Sequence, residues 1–430
     1  MKPLCLRGGR IIDPARHLDY CGDIWIEGDT ILDGTPADAA DAEVIPCQGL
    51  VIAPGLIDMH VHLREPGQSR KETIASGTRA AAAGGFTAVV AMPNTSPPAD
   101  AVNTITWIRQ RAAEVGVVRV YPTGCISQGM KGEVLAPIGS MKKAGIVAIT
   151  DDGACIQSND LMRRAMEYAL MFGLPILDHC QDYSMTQGAV MNEGRWSAIL
   201  GLKGWPAMAE EIIIARNALL SELTGAKVHC QHVTTAGGVR ILREAKLRGV
   251  NISGEVCPHH LALTDEALQG YDTRFKMNPP LRTRRDVEAL KEGLADGTLE
   301  YLASDHAPHC DFEKEVEFDD APFGITGLET ELGLFLTNLL HGGVLTLPQI
   351  LERLTTNPAR LLGLPGGTLA PGSPADITLI DPDVEWVFDR EVSVSLSRNT
   401  PFHGVQLRGR AVRTIVGGRT VWSLENGFAH

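Results

Sequence analysis

The sequence predicts a (β/α)8 barrel carrying a small β-sandwich domain built from both ends of the 430-residue chain. Three observations predict it. Eight short apolar runs alternate with helix-like segments through the middle of the chain. Strand-rich segments flank that middle on both sides. The run that opens the middle ends in DMHVHLREPG, where a doubly wound sheet would carry a glycine-rich dinucleotide loop. The domains are expected at 1–52 and 367–430, together the β domain, and at 53–366, the barrel.

Taken in order, residues 1–50 hold LCLRGGRIID, DIWIEGDTI and EVIPCQGL, strand-like runs broken by turn residues. The first barrel strand is expected at 50–59 (LVIAPGLIDM), followed by a helix over 72–85 (ETIASGTRAAAAGG). Strands two, three and four are expected at 86–94, 118–124 and 145–152. A helix over 160–173 leads to strand five at 175–180, and one over 209–223 leads to strand six at 227–233. A helix over 236–249 precedes strand seven at 251–260, and strand eight is expected at 300–308. From about 368 the strand-like pattern returns in ADITLID and GVQLRGRAVRTIVGGRTVW.

Composition narrows the function. Hydrophobic and charged contents of 44% and 21% are ordinary for a globular enzyme. A net charge of −13 argues against nucleic acid or an anionic membrane as partner. An anionic small molecule would need positive charge concentrated in its site. The N-terminal stretch is expected to be no signal peptide, and no apolar run is long enough to span a bilayer. Nine cysteines without CxxC spacing fit reduced thiols, hence a cytoplasmic location.

The C-terminal ends of the expected strands carry His60 and His62, Asn94, Asp151 and Asp152, His179, His232, and Asp305. In a barrel these ends converge on one mouth. His60 and His62 lie two apart, so on a strand they face the same side. Each residue alone has an ordinary reading as a hydrogen-bonding histidine or a turn aspartate. Together, four imidazoles and the carboxylates compose a site of N and O ligands that suits Zn²⁺ or a similar ion. More than four ligands favour two ions sharing a carboxylate.

The stretches PGLIDMHVHLREPG, AMPNT, TDDG, DHC, QHVTT, CPHH, MNPPLR, SDHAPH and APFGITGLET span most of the chain, and with them it resembles the amidohydrolase superfamily, within it the bacterial, longer-chain dihydroorotases. The resemblance implies reversible cyclisation of N-carbamoyl-L-aspartate to L-dihydroorotate, a step of de novo pyrimidine (UMP) synthesis, by a hydroxide that two metal ions activate. It implies that His60, His62 and Asp305 bind one ion and His179 and His232 the other, with Asp152 bridging. Asp152 matches the family's spacing, and Asp151 is the other candidate. Asp305 is also the implied acid/base. Arg64 and Asn94 would hold the substrate carboxylate, with His62, Asn278, His309 and the Phe323–Gly324 backbone as further contacts; a salt bridge from Arg64 to Glu65 is the plainer alternative.

Many relatives bridge their metals with a lysine at strand four. Here GIVAITDDG offers carboxylates, and Lys142 and Lys143 precede the strand as solvated helix residues. Asp58 is expected to orient a ligand or cap its strand, and His259 and His260 to be core or supporting residues. His17, His229, His341, His403 and His430 carry no motif. The competing readings are an allantoinase- or dihydropyrimidinase-type enzyme, which generally lacks the HLREPG arginine, and a non-catalytic subunit scaffolding aspartate transcarbamoylase, which would have lost ligands. A homo-oligomer or a complex with aspartate transcarbamoylase is compatible with the catalytic reading.

Overall fold

A computed structural model describes residues 2–429; His430 lies outside the described residues. Three parallel strands, Leu56–Val61, Phe86–Ala91 and Arg119–Pro122, form one arc of a barrel. Four more, Ile176–Asp178, Val228–Cys230, Ile252–Val256 and Tyr301–Leu302, form the opposite arc, again in sequence order. Two contacts close the ring. Ile149 bridges Gly124 on one side and Ile176 on the other, and Val61 bridges His306.

The fourth strand, expected at 145–152, is shorter and pairs on both sides. Val147 and Thr150 donate to Pro122 O and Gly124 O, Gly124 donates to Ala148 O, Ile149 donates to Pro175 O, and Leu177 donates to Ile149 O. It stops at Asp151, whose carboxylate takes the amides of Ile126 and Ser127. A side chain supplies there the hydrogen bonds that a neighbouring strand would otherwise make.

The first expected strand splits in two. Val51–Pro54 pairs with Leu4–Asp13 and Ile377–Val387 in the β domain, while Leu56–Val61 enters the barrel. Gly55 stands at the break, where a Cβ would overlap the Thr87 side chain. Only glycine lets the chain pass so close to the second barrel strand.

The two chain ends do meet. Strands from residues 4–54 and 377–428 join in one nine-stranded sheet, with Val51–Pro54 beside Ile377–Val387 at the seam. Its core gathers Leu6, Ile11, Ile24 and Ile26 from one end with Ile377, Leu379 and Ile415 from the other.

The helices form where apolar residues line one face. Ile74–Gly84 begins at a capping box in which Thr73 Oγ1 accepts the Ser76 amide and Ser76 Oγ accepts the Thr73 amide, each at 3.0 Å. Its buried Ile74, Ala80, Ala81 and Ala82 pack on the outer face of the barrel. Inside the barrel, Met59, Val90, Met92, Ala148, Leu177, Tyr301 and Ala303 form a separate apolar cluster. Each precedes, by a few residues, a polar residue at its strand end, so the cluster plugs the barrel beneath a polar mouth. Burying each large side chain there stabilises the fold by about 1.5–3 kcal/mol.

Candidate active site

Short strands ending in buried polar residues carry six side chains to one point. His60 Nε2 lies 3.4 Å from Asp152 Oδ1 and 3.6 Å from Asp305 Oδ1. His62 Nε2 lies 3.4 Å from Asp152 Oδ2 and 3.1 Å from Asp305 Oδ1. Asp152 Oδ1 also faces His179 Nδ1 at 3.5 Å and His232 Nε2 at 3.9 Å. All six are buried. His60, His62 and Asp305 bring ligand atoms within 4.8 Å of one another, and so do His60, Asp152 and His232.

The outer nitrogens fix the tautomers. His60 Nδ1 donates to Glu255 Oε1 at 2.6 Å, and His62 Nδ1 to Asn94 Oδ1 at 2.9 Å. His179 Nε2 donates to Gln181 Oε1 at 2.8 Å. Each of these three rings, in its neutral form, therefore turns its lone pair inward, towards the Asp152 and Asp305 carboxylates. His232 Nδ1 is buried without a partner, and its Nε2 lies 2.8 Å from His179 Nδ1. Acceptors facing acceptors at about 3 Å repel unless cations lie among them. The donor set fits divalent ions: imidazole nitrogen and carboxylate oxygen, with outer nitrogens anchored on protein oxygens.

The charges carry the same demand. Burial lowers the affinity of His60 for a proton, yet Asp152, Asp305 and Glu255 together hold it well above its ordinary pKa. Burial pushes Glu255 up, but His60 and His229 bring it down to about 2. Burial, with His179 and His60 nearby, pushes His232 down to about 3, a neutral ring.

The two neighbouring aspartates separate cleanly. Asp151 points away and clamps the 126–127 backbone, with Ser127 Oγ donating to it as well. Asp152 alone faces the histidines. Its Oδ2 and backbone oxygen also accept from Asn94 Nδ2, each at 3.4 Å.

Beside this cluster a 330 Å³ cavity is lined by His62, Arg64, Asn94, Asn278, His309 and the Pro322–Gly324 segment, among others. Arg64 donates through Nε to Pro308 O at 3.1 Å, and its Nη2 lies 3.4 Å from His309 Nε2. No ion pair engages Arg64 among the described residues. Glu65 turns instead to the Ile74 amide and Ser69. Burial pushes the Arg64 guanidinium down only to about 10, so it stays charged at neutral pH. Asn278 Nδ2 lies 3.5 Å from Gln181 Oε1, and its own Oδ1 has no partner. Arg64, His232 and Asp305 all have left-handed backbones, with φ of 60°, 32° and 49°. Non-glycine residues held there are the kind of strain that collects at working sites.

Three supporting residues escaped the sequence reading. Glu255 binds His60, the His229 ring at 3.0 Å and the His232 amide at 3.1 Å. Gln181 sets the His179 tautomer, and Gln231 Nε2 approaches the His60 ring at 3.2 Å. A carboxylate in the middle of the apolar strand ISGEV was the available signal, because buried charge needs a partner. Asp58 accepts the His60 amide at 3.0 Å, fixing the backbone at the first of the two histidines. His260 Nε2 lies 3.0 Å from Pro279 O, and neither His259 nor His260 lines the cavity. Lys142 and Lys143 are exposed on the helix Ile138–Ala144.

Known proteins resemble the chain over its full extent. A family profile described as Dihydro-orotase-like matches residues 49–237, and one described as Amidohydrolase family matches residues 225–422. The chain is 53% identical to a dihydroorotase of Pelotomaculum thermopropionicum, covering 97% of this chain and 98% of that protein. It is 51% identical to one of Syntrophotalea carbinolica, covering 98% and 100%. Among solved structures, the L-hydantoinase (dihydropyrimidinase) of Arthrobacter aurescens superposes with a TM-score of 0.87 at 26% identity, covering 98% of this chain and 96% of that one. The dihydropyrimidinase of Brevibacillus agri gives 0.85 at 25%, covering 97% and 95%.

Proposed function

This chain belongs to the dihydroorotase family of the amidohydrolases, and we propose that it interconverts N-carbamoyl-L-aspartate and L-dihydroorotate, a step of pyrimidine synthesis, using two divalent ions, by preference zinc. One observation carries the metal reading: the inner nitrogens of His60, His62 and His179, each ring anchored by its outer nitrogen on a protein oxygen, face two carboxylates at 3.1–3.6 Å. His60, His62 and Asp305 would hold one ion and His179 and His232 the other, with Asp152 shared between them. When bound, such a pair supplies an acidified water and a Lewis acid for the amide carbonyl.

The chain's own groups do the rest. In ring opening, Asp305 takes the proton of the attacking water and passes it to the departing ring nitrogen; cyclisation runs the same path backwards. Arg64 and Asn94 orient the ring through its carboxylate, the guanidinium offering two parallel donors. His62, Asn278, His309 and the Phe323–Gly324 backbone form the remaining walls. The fixed cavity holds the reacting atoms in register, so part of the entropy cost is met on binding.

The fold is shared with hydantoinases, so cyclic amides without the carboxylate are the competing substrate class. An unpaired Arg64 in the cavity favours an anionic substrate. The test is hydrolysis of L-dihydroorotate against hydantoin by the purified, zinc-loaded protein. Faster hydantoin turnover would reject the assignment. We also propose a cytoplasmic location, on the nine cysteines, and a homo-oligomer or a complex with aspartate transcarbamoylase as partners. Gel filtration, alone and with that enzyme, tests the latter. Among the described residues no helix is long and apolar enough to cross a membrane.

A further inference from the structure

The β domain sends a strap back to the cavity. Between the strands Ile377–Val387 and Gln406–Val416, residues 393–400 leave the sheet and run across the barrel beside its mouth. Glu329 accepts the amides of Val394 and Ser395 at 3.0 and 3.1 Å. Glu72 accepts the Leu396 amide at 3.2 Å, and Ser397 Oγ donates to Lys71 O. At the end of the strap stands Asn399, 2% exposed.

The Asn399 amide is fully engaged, and every partner of its side chain lines the cavity. Oδ1 accepts the His309 amide at 2.9 Å. Nδ2 donates to Ala307 O and to Gly324 O, both at 3.1 Å. Its own carbonyl accepts the Thr326 amide at 3.1 Å. Ala307 and His309 follow the last barrel strand, whereas Gly324 belongs to the next loop, and all three line the cavity. One buried side chain thus sets the separation of two cavity walls.

We propose that Asn399 is a positioning residue: it holds His309 and the Phe323–Gly324 backbone, two walls of the cavity beside Arg64, at the spacing that encloses the substrate. This rests on the dihydroorotase reading. Asn399 touches neither the metal cluster nor the reacting bond. Its loss should therefore weaken substrate binding without removing metal.

The test is steady-state kinetics of Asn399→Asp, which keeps the shape and the acceptor but turns an oxygen towards two carbonyls. Zinc content and thermal melting are measured on the same preparation, and Ser397→Ala serves as a control on the strap. The expected result is a KM for L-dihydroorotate raised at least about tenfold, with kcat changed less and zinc content unaltered, because a misplaced binding wall disturbs orientation. Ser397→Ala should leave KM within about twofold. In Asn399→Ala the His309 amide, deprived of its acceptor, should exchange its hydrogen faster, a readout independent of turnover.

A folded Asn399→Asp with KM within about twofold of the parent overturns the proposal, as does equal loss in both strap variants. If neither Asn399 variant folds, the residue is structural and the proposal falls. An inactive parent protein would instead reject the dihydroorotase reading. Hydrogen exchange at His309 would then decide the positioning role alone.

Discussion

Replacing Glu255 by Gln isolates the contribution of one buried charge to the metal centre. Glu255 has no exposed surface, and Oε1 receives the His60 Nδ1 hydrogen at 2.6 Å. Glutamine preserves the volume and can still accept from His60. Its amide nitrogen would then face His229 Nε2, which can turn acceptor because its other nitrogen meets Ser253 Oγ at 2.8 Å, a group able to donate or accept. What is lost is the charge on the acceptor. A hydrogen bond to a charged group contributes about 1.5–3 kcal/mol and a neutral one about 0.5–1.5 kcal/mol, so His60 loses about 1–1.5 kcal/mol of support. That corresponds to roughly tenfold in metal affinity, the lower end of what residues behind metal-binding histidines contribute. Competition against a chelator of known affinity measures it, at constant pH, with circular dichroism to verify the fold. Glu255→Ala, which strands two rings and the His232 amide, should lose roughly a hundredfold or more. An unchanged zinc affinity in folded Glu255→Gln would refute the claim that this carboxylate tunes His60.

Asp152→Ala should lose both ions and all turnover, while Asp151→Ala should keep bound metal and lose stability instead, since it frees the 126–127 amides; metal analysis and melting separate the two. Arg64→Met should keep its metal and lose about 3 kcal/mol in kcat/KM for dihydroorotate, roughly a hundredfold, with a much smaller loss for rings lacking the carboxylate. Burial, with Lys276 close by, pushes Lys314 down to about 7, although Nζ donates to the carbonyls of Thr273 and Pro322. An unfolded lysine titrates near about 10.4, so between these values the unfolded chain binds more protons and folding stability rises with pH. That contribution is complete above about 10.4 and is lost as pH falls through about 7. The stability difference between the parent and Lys314→Met should therefore grow from pH 7 towards pH 10 in denaturant titrations; a flat difference contradicts the shift.

Much of the site could be read before any coordinates, because strand ends announce themselves. His60, His62, His179, His232 and Asp305 each follow an apolar run, and barrel geometry carries such positions to one mouth. Asp151 and Asp152 could not be separated on residue chemistry alone. The decision rests on Ile126 and Ser127, whose amides capture Asp151 from a distant loop. The Pro54–Gly55 pair inside LVIAPGLIDM marked the break between domains, but an unbroken apolar run read as one strand. Glu255 was legible only as an anomaly, a charge inside a strand, and its partners lie 195 and 26 residues away. Asn399 gave no signal, since an asparagine in a loop is ordinary until its three partners are seen together.

The most direct test strips the protein of metal and returns zinc stepwise, following bound zinc and dihydroorotate hydrolysis in the same samples. The site described here predicts no turnover in the stripped protein, and activity that grows until two ions are bound per chain and then levels off. Full activity in the stripped protein, or saturation with one ion per chain and Asp152→Ala still active, would contradict it.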